Sequence, residues 1–324
     1  MDHGRHDSAK VRRMTNHARF TVDCDVLPQF TAAYLRVAGD EAAFIETHTA
    51  HAVPRLMRAL DEQGLRPEQV RWVVVTHAHL DHAAGASAVI ARCPNATLLA
   101  HPRAARHLVD PSRLVASATS VYGAARFAEL YGTIDPIPAD RVRALDDGET
   151  FALGDATLRV HHTAGHAKHH FIVDDPAIDT VYTGDTFGLV YPALQRVRVH
   201  GARLPVVRFA IATTSPTDFD PDEARKSVDK ILSLGRGAAC LTHFDEIRDL
   251  DEVAAQLRGW IDRSEALLRR VAAGEEVDVA AELRRAIADD TAARGLVLTD
   301  ADWKLLATDI ELNAQGIVFA AKKR

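Results

Sequence analysis

Trp72-Val73-Val74-Val75-Thr76-His77-Ala78-His79-Leu80-Asp81-His82 is the stretch on which the reading turns. Its opening is an apolar run of the kind a strand shows when both of its faces are buried. Three imidazoles and a carboxylate then follow within six positions. In an extended segment side chains two apart face the same way, so His77 and His79 aim at one point. Asp81 and His82 fall in the next turn, ahead of a small-residue helix read over Ala83–Ala91, and aim at a neighbouring point. Imidazole and carboxylate at this range suit zinc, iron or manganese rather than calcium.

One loop does not complete two such points, and the downstream sequence offers what is missing. His166 in Thr163-Ala164-Gly165-His166, Asp185 in Thr183-Gly184-Asp185-Thr186, and His243 in Leu241-Thr242-His243 each stand just past a short strand-like run. Ligand-type residues at several strand ends are what a metal site at one edge of a layered sheet requires. The strand signals are Thr31–Val37 and Ala42–Ile45 as a hairpin about Gly39-Asp40, then Trp72–Val75, Thr97–Ala100, Phe151–Leu153, Thr157–Val160, Phe171–Val173, Thr180–Tyr182 and Ala238–Leu241. Helical spacing covers Pro54–Gln63, Pro102–Val109 and Asp222–Leu234, with helix and loop mixed over 111–145. Residues 187–218 read as a long functional loop region. Residues 1–18 read as a polar, mobile leader and 19–247 as the main domain. Residues 248–324 read as a helical extension, with segments 251–273, 277–294 and 299–312.

Composition narrows the function. The chain has 324 residues, 47% of them apolar, enough for a substantial core. Lys+Arg 39 against Asp+Glu 45 leaves a charge of −6, a poor endowment for gripping phosphate backbones, so no nucleic acid is expected as a partner. No apolar stretch is long enough to span a bilayer, and the first residues show no secretory pattern, so no membrane association is expected. Three scattered cysteines make neither a disulfide framework nor a zinc finger, and a cytoplasmic setting fits. Histidine is the unusual count, at 17.

The set His77-x-His79-x-Asp81-His82, Gly165-His166, Gly184-Asp185 and His243, in that order, resembles the metallo-β-lactamase superfamily over roughly residues 20–247. Gly64-Leu65-x-Pro67-Glu68-x-Val70, His101-Pro102-Arg103 and His107-Leu108-Val109-Asp110-Pro111 further resemble a bacterial and archaeal subgroup without a settled substrate. The resemblance implies an α+β class, a four-layer αββα fold with a helical C-terminal extension. It implies that His77, His79 and His166 hold a first metal, Asp81, His82 and His243 a second, and that Asp185 bridges them. Two departures stand out. The family's early strand usually ends in Asp-Thr-Gly, whereas here it ends in Glu46-Thr47-His48; and Thr163-Ala164-Gly165 replaces Thr-Pro-Gly. Glu46 can still orient the metal loop, and His48 puts an imidazole near the site mouth.

The expected activity is that of a dinuclear hydrolase, with two divalent ions, zinc first and iron or manganese as alternatives, sharing a hydroxide that attacks a small ester, thioester or lactone. Asp81 is the candidate catalytic residue, orienting the nucleophile or passing its proton to the leaving group. The alternative is a mononuclear iron dioxygenase of the persulfide type, which shares the fold and the loop. The partner expected is a small-molecule substrate; the helical tail is expected to pack on the core, with some part in a homodimer. His161, His162, His169 and His170 read mainly as strand or loop residues with satisfied rings, and Cys240 as a small buried hydrophobe. Arg196, Arg198, Arg203 and Arg208 read as a solvated loop pairing with acidic neighbours, and His3, His6 and His17 as exposed. The roles of His48, His51, His101, His169 and His170 stay open at this stage.

Overall fold

The computed structural model describes residues 17–24, 27–196, 208–214 and 217–323. Two six-stranded sheets each take their strands in chain order. The first comprises β1 (His17–Asp23), β2 (Ala32–Ala38), β3 (Glu41–Ile45), β4 (Val70–Val74), β5 (Thr97–Ala100) and β6 (Val142–Ala144). The second comprises β7 (Thr150–Leu153), β8 (Ala156–His162), β9 (Phe171–Asp175), β10 (Thr180–Leu189), β11 (Ala238–His243) and β12 (Asp245–Ile247).

The period-two alternation of side chains builds the layers. From β2, Tyr34 and Arg36 point towards the second sheet while Ala33, Leu35 and Val37 point outward. From β4, Trp72 and Val74 go inward and Val73 outward; β9 and β10 do the same with Phe171, Val173 and Tyr182 inward against Ile172 and Val181 outward. Strands sandwiched in this way are apolar on both faces, which is why their sequences read as continuous apolar runs. The inner layer carries one deliberate charge pair: Arg36 Nε lies 2.5 Å from Asp175 Oδ2, both side chains fully buried.

β3, β4, β5 and β6 run parallel, as do β10 and β11. Parallel neighbours need crossovers, and these supply the outer helices. α1 (Val53–Glu62), α2 (Leu80–Ala83), α3 (Ala86–Arg92), α4 (Pro102–Val109), α5 (Ser112–Tyr122) and α6 (Ala124–Tyr131) connect the first sheet, and α7 (Pro221–Ser233) joins β10 to β11. The tail adds α8 (Leu250–Ala272), α9 (Val279–Ala293), α10 (Asp300–Leu305) and α11 (Ala307–Ala321). These tail helices are one hydrophobic cluster with the second sheet: Leu257, Trp260, Ile287 and Ile317 share it with Phe187, Ile211 and Ile231. The result is an αββα arrangement in which the tail forms part of an outer layer.

Several elements depart from the sequence reading. The first described residue, His17, begins β1 and lies 3.2 Å from Asp155 Oδ1, so it is neither leader nor free in solvent; residues 1–16, with His3 and His6, lie outside the described residues. The helix expected over Ala83–Ala91 is two, broken at Gly85. There the Gly85 N–H donates to the His48 carbonyl at 2.8 Å, and a Cβ would sit 2.6 Å from the Thr47 carbonyl oxygen. β10 does not stop at Tyr182 but runs to Leu189, with register shifts around Gly184. Part of the expected 187–218 loop is therefore strand, and Ile211 bridges back to Leu189; residues 197–207 and 215–216, including Arg198 and Arg203, lie outside the described residues. β12 carried too short a pattern to be read.

Candidate metal centre

The C-terminal ends of β3, β4, β8 and β11 open on one edge of the sandwich, where crossover loops must turn. The Phe171 N–H donates to the Thr76 carbonyl at 2.9 Å, stitching the two sheets together there. β10 delivers Asp185 from within a strand. Its Gly184 adopts φ +50°, and a Cβ at that position would lie 2.5 Å from both His170 Nε2 and Thr76 Oγ1. Only glycine lets the strand bend this close to the loop, and the bend aims Asp185 at the site.

All seven ligand candidates meet. His77 Nε2 is 2.8 Å and His166 Nε2 3.1 Å from His79 Nδ1. Asp185 Oδ1 is 3.0 Å from His82 Nε2 and 3.5 Å from His243 Nε2, while its Oδ2 is 3.4 Å from His166 Nε2. Asp81 Oδ2 is 3.4 Å from His243 Nε2 and 3.6 Å from His82 Nε2. Donor atoms fall into three overlapping groups: His77/His79/His166, His77/His82/Asp185 and Asp81/His82/His243. Four donors around an ion at zinc's bond lengths of ~2.0–2.1 Å sit roughly 3.3 Å apart, which matches these separations. Both His82 ring nitrogens and Asp185 Oδ1 are buried without a well-directed hydrogen bond, although they lie close to other polar atoms. They converge on shared points rather than on one another, as cation ligands do, so the residues fit divalent metal ions.

The electrostatics agree. Burial keeps the His77 imidazole well below its ordinary pKa and takes His166 down to about 3, so both offer a neutral ring with a lone pair. For His82 and His243 burial acts in the same direction but is outweighed. Asp185 and Asp81, joined at His82 by Glu46, hold both rings above the ordinary value. The two carboxylates call for positive charge at this spot.

The atoms behind the ligands are also held. Thr76 Oγ1 is 3.1 Å from His77 Nδ1 and also bonds Glu46, whose Oε1 lies 3.2 Å from His82 Nδ1. Thr213 Oγ1 is 2.8 Å from His166 Nδ1 and donates to the Asp185 carbonyl at 3.1 Å. The Phe30 carbonyl is 3.3 Å from His243 Nδ1. The Asp185 N–H donates to His170 Nε2 at 3.2 Å, and the His170 Nδ1 is 2.8 Å from Thr163 Oγ1. His169 Nδ1 accepts from the Ala78 N–H at 3.3 Å. Such partners fix ring orientation and basicity. The sequence reading missed Thr213 and Phe30, because nothing local marks a threonine or a backbone carbonyl as an anchor.

Other candidates lie off the centre. His101 caps α4 by accepting from the Arg103 N–H at 3.0 Å and packs on His162. His51 reaches the Ala128 carbonyl. Cys240 is buried beside Arg19, and burial pushes its thiol up to about 12. Arg208 pairs with Asp249 and Arg196 with Asp302. His48 stands apart: it is 4% exposed, neither ring nitrogen has a hydrogen-bond partner among the described residues, and its φ is +55°.

The family profile described as the metallo-beta-lactamase superfamily matches residues 27–243. Among curated proteins, the metallo-beta-lactamase fold-containing protein ST1585 of Sulfurisphaera tokodaii is 28% identical over 130 residues, 38% of this chain and 47% of that protein. Uncharacterized protein ML0493 of Mycobacterium leprae is 31% identical over 156 residues, 46% of this chain and 63% of that protein. The chain thus spans about half to just under two thirds of the curated relatives it matches. Among solved structures, archaeal ST1585 superposes with a TM-score of 0.62 at 19% identity, covering 93% of this chain and 98% of that one. TTHA1429 from Thermus thermophilus superposes at 0.56 and 20%, covering 94% and 91%. Fold, ordered ligand set and matching profile together make this chain a member of the metallo-beta-lactamase superfamily.

Proposed function

We propose that the protein is a dinuclear metal-dependent hydrolase acting on a small ester, thioester or lactone. The observation that carries this reading is Asp185, whose two oxygens face different imidazole groups: Oδ1 towards His82 and His243, Oδ2 towards His166. A carboxylate so placed would serve two cations at once. His77, His79 and His166 would hold one cation, Asp81, His82 and His243 the other, with zinc the first choice for this donor set. When bound, the pair supplies a water acidified towards neutral pH and positive charge for a developing oxyanion.

The two aspartates differ in what they can reach. The Asp185 side chain is 7% exposed and enclosed by imidazoles, whereas that of Asp81 is 43% exposed and faces the open side. Asp81 is therefore placed to take a proton from the attacking water and return it to the leaving oxygen or sulfur. Water oxygen bonds to the acyl carbon, the bond to the leaving atom breaks, and the proton moves across Asp81. His170, Thr213 and Glu46 hold the groups around this exchange in register. The net charge of −6 and the three unpaired, buried cysteines support a small-molecule substrate and a reducing, cytoplasmic setting.

The test is a metal count with a substrate panel. Protein loaded with zinc, manganese or iron is assayed on carbonyl esters, thioesters, lactones and phosphodiesters, with oxygen uptake followed on a persulfide. Two ions per chain and turnover of a carbonyl substrate are expected. One iron per chain with persulfide-dependent oxygen uptake would establish the dioxygenase instead.

A further inference from the structure

The turn between β8 and β9 carries three imidazoles, and two of them are accounted for. His166 faces His79 and Asp185 as a ligand candidate. His170 spends both ring nitrogens, with Nε2 accepting from the Asp185 N–H and Nδ1 against Thr163 Oγ1. His169 spends one. Its Nδ1 accepts from the Ala78 N–H at 3.3 Å, in the middle of the run His77-Ala78-His79. A backbone N–H can only donate, so the lone pair is on Nδ1 and the hydrogen of the neutral ring is on Nε2. The ring is half-buried. Its Nε2 has no hydrogen-bond partner among the described residues and, unlike the enclosed ring nitrogens of His48, keeps contact with solvent.

Distances place this ring at one end of the centre. It lies nearly parallel to His77, with 17° between the planes and 6.0 Å between centroids, and perpendicular to His79 at 5.5 Å. Both neighbours belong to the donor group His77/His79/His166, whereas Asp81 belongs to the group with His82 and His243. With Nδ1 held against the Ala78 backbone, the accessible Nε2–H stands beside the first group. A substrate divides in the same way. In the hydrolase reading the leaving atom takes its proton from Asp81 and so lies at the Asp81 group. The carbonyl oxygen diverges from it at the acyl carbon, towards the group that His169 adjoins.

We propose that His169 is a substrate-contacting residue whose Nε2–H donates a hydrogen bond to the carbonyl oxygen of the bound acyl compound. This rests on the hydrolase reading and adds a residue to it. As the water oxygen bonds to the acyl carbon, an electron pair of the carbonyl moves onto its oxygen. The pair returns as the bond to the leaving atom breaks. The hydrogen bond is strongest while that oxygen is negative, and His169 gives up no proton. Ester, thioester and lactone share the carbonyl, so the residue serves all three alike.

Amide side chains separate the two nitrogens of His169. Asparagine reaches the position of Nδ1, where its oxygen can accept from Ala78, and leaves the place of Nε2 without a donor. Glutamine carries an N–H to the position of Nε2 and gives up that of Nδ1. The wild type, His169→Asn and His169→Gln, all metal-loaded, are compared on phenyl acetate, S-phenyl thioacetate and γ-butyrolactone, with metal content and melting temperature measured in parallel. His169→Asn is expected to keep its metal and its melting temperature. Its kcat is expected to fall about 10²-fold on each compound that the wild type cleaves, the scale of one lost oxyanion donor, with KM little changed. His169→Gln is expected to recover most of that loss. Calorimetry with methylphosphonate, a tetrahedral anion that is not turned over, is expected to show binding about tenfold weaker in His169→Asn than in the wild type. A His169→Asn protein with wild-type kcat, or with a kcat that falls only in step with lost metal, overturns the proposal and leaves His169 as a support for the metal loop. So does a His169→Gln protein that retains metal and is as slow as His169→Asn. A wild type that cleaves none of the three overturns the proposal together with the reading on which it rests, and its inactivity sets that outcome apart from the others.

Discussion

The two walls of the metal centre solve one problem in different ways. On the wall built from residues 46–82, the imidazole nitrogens that face away from the centre are backed from two adjoining strand ends of the first sheet: Thr76 after β4 behind His77, and Glu46 after β3 behind His82. On the wall built from residues 166–243 the backing is distant. Thr213 stands behind His166, and the adjoining Thr214 is itself tied to the tail. The Thr214 N–H donates to Asn313 Oδ1 at 2.7 Å, and its Oγ1 donates to the Asn313 carbonyl at 2.8 Å. The first wall is made where the paired strands β3 and β4 end side by side. The second exists only when the second sheet and α11 have packed. One wall therefore rests on a single pair of neighbouring strands while the other also draws on the tail, and Asp185 is the side chain both share.

The largest effect is expected where the walls meet. On the proposed dinuclear reading, Asp185→Ala should take metal content from two ions per chain to one or none, because each of its oxygens faces a different group. Hydrolysis should fall by more than about 10²-fold, beyond the 10–100-fold typical of losing an orienting partner alone. Elemental analysis after gel filtration, alongside the rate on the best substrate of the panel, checks this. Two retained ions would mean that the walls are independent sites.

Next comes the distant wall by itself. Thr213→Val removes the hydroxyl at 2.8 Å from His166 Nδ1 while keeping the side chain's shape. Metal affinity, read by competition with a coloured chelator, should weaken about 10–100-fold, and Thr213→Ser should recover most of it. A Thr213→Val protein that holds metal like the wild type would show that packing of the His166 ring, rather than the hydroxyl, sets its orientation.

This contrast also explains what was legible in the sequence. His77, His79, Asp81 and His82 declared themselves because four ligand-type residues crowd one strand end. His166, Asp185 and His243 were readable from their glycine and strand contexts once that loop was in hand. The apolar run Trp72–Val75 marked a strand buried on both faces, while the four layers came from the family resemblance. What could not be read depended on long-range approach. Gly85 splits the expected helix because the 46–48 segment packs against it. Gly184 bends β10 past Asp185, where propensity would end the strand. Thr213, Phe30 and Asn313 act through hydroxyl, backbone carbonyl and amide groups found in any protein, and only the fold gives them work. The tail read as an appendage because its amphipathic helices do not say which sheet they cover.

A smaller effect is expected further along the same chain of contacts. Asn313→Ala would leave the buried Thr214 N–H and Ala212 carbonyl without their side-chain partner. Each such group costs about 1–3 kcal/mol. The melting temperature should drop by several degrees, at about 2–4 °C per kcal/mol for a chain of this class. Metal affinity should fall less than in Thr213→Val, since Thr213 keeps its own bonds to His166 and Asp185. A greater loss of metal than of stability would place Asn313 closer to the centre's function than to the fold's.

The finest test of the comparison is Asp309, one turn before Asn313 on α11. It is half-buried, and the Tyr191 hydroxyl donates to its Oδ2 at 3.2 Å. Burial pushes its carboxyl up to about 7; His243 and Tyr191 act against this, while Asp185 and Asp81 add to it. The folded chain therefore keeps a proton that the unfolded chain has already released, between the ordinary carboxylate range and about pH 7. Folding stability contributed at this site falls as pH rises through that window. Asparagine cannot ionise but still accepts from Tyr191. In metal-stripped protein, Asp309→Asn should melt with the wild type near the low end of the window and above it at pH 8. Bound cations would favour the ionised carboxylate, so the gain at pH 8 should shrink when metal is restored. If the gain is the same with and without metal, the tail lies outside the electrostatic reach of the centre, and its part in the second wall is limited to holding Thr214.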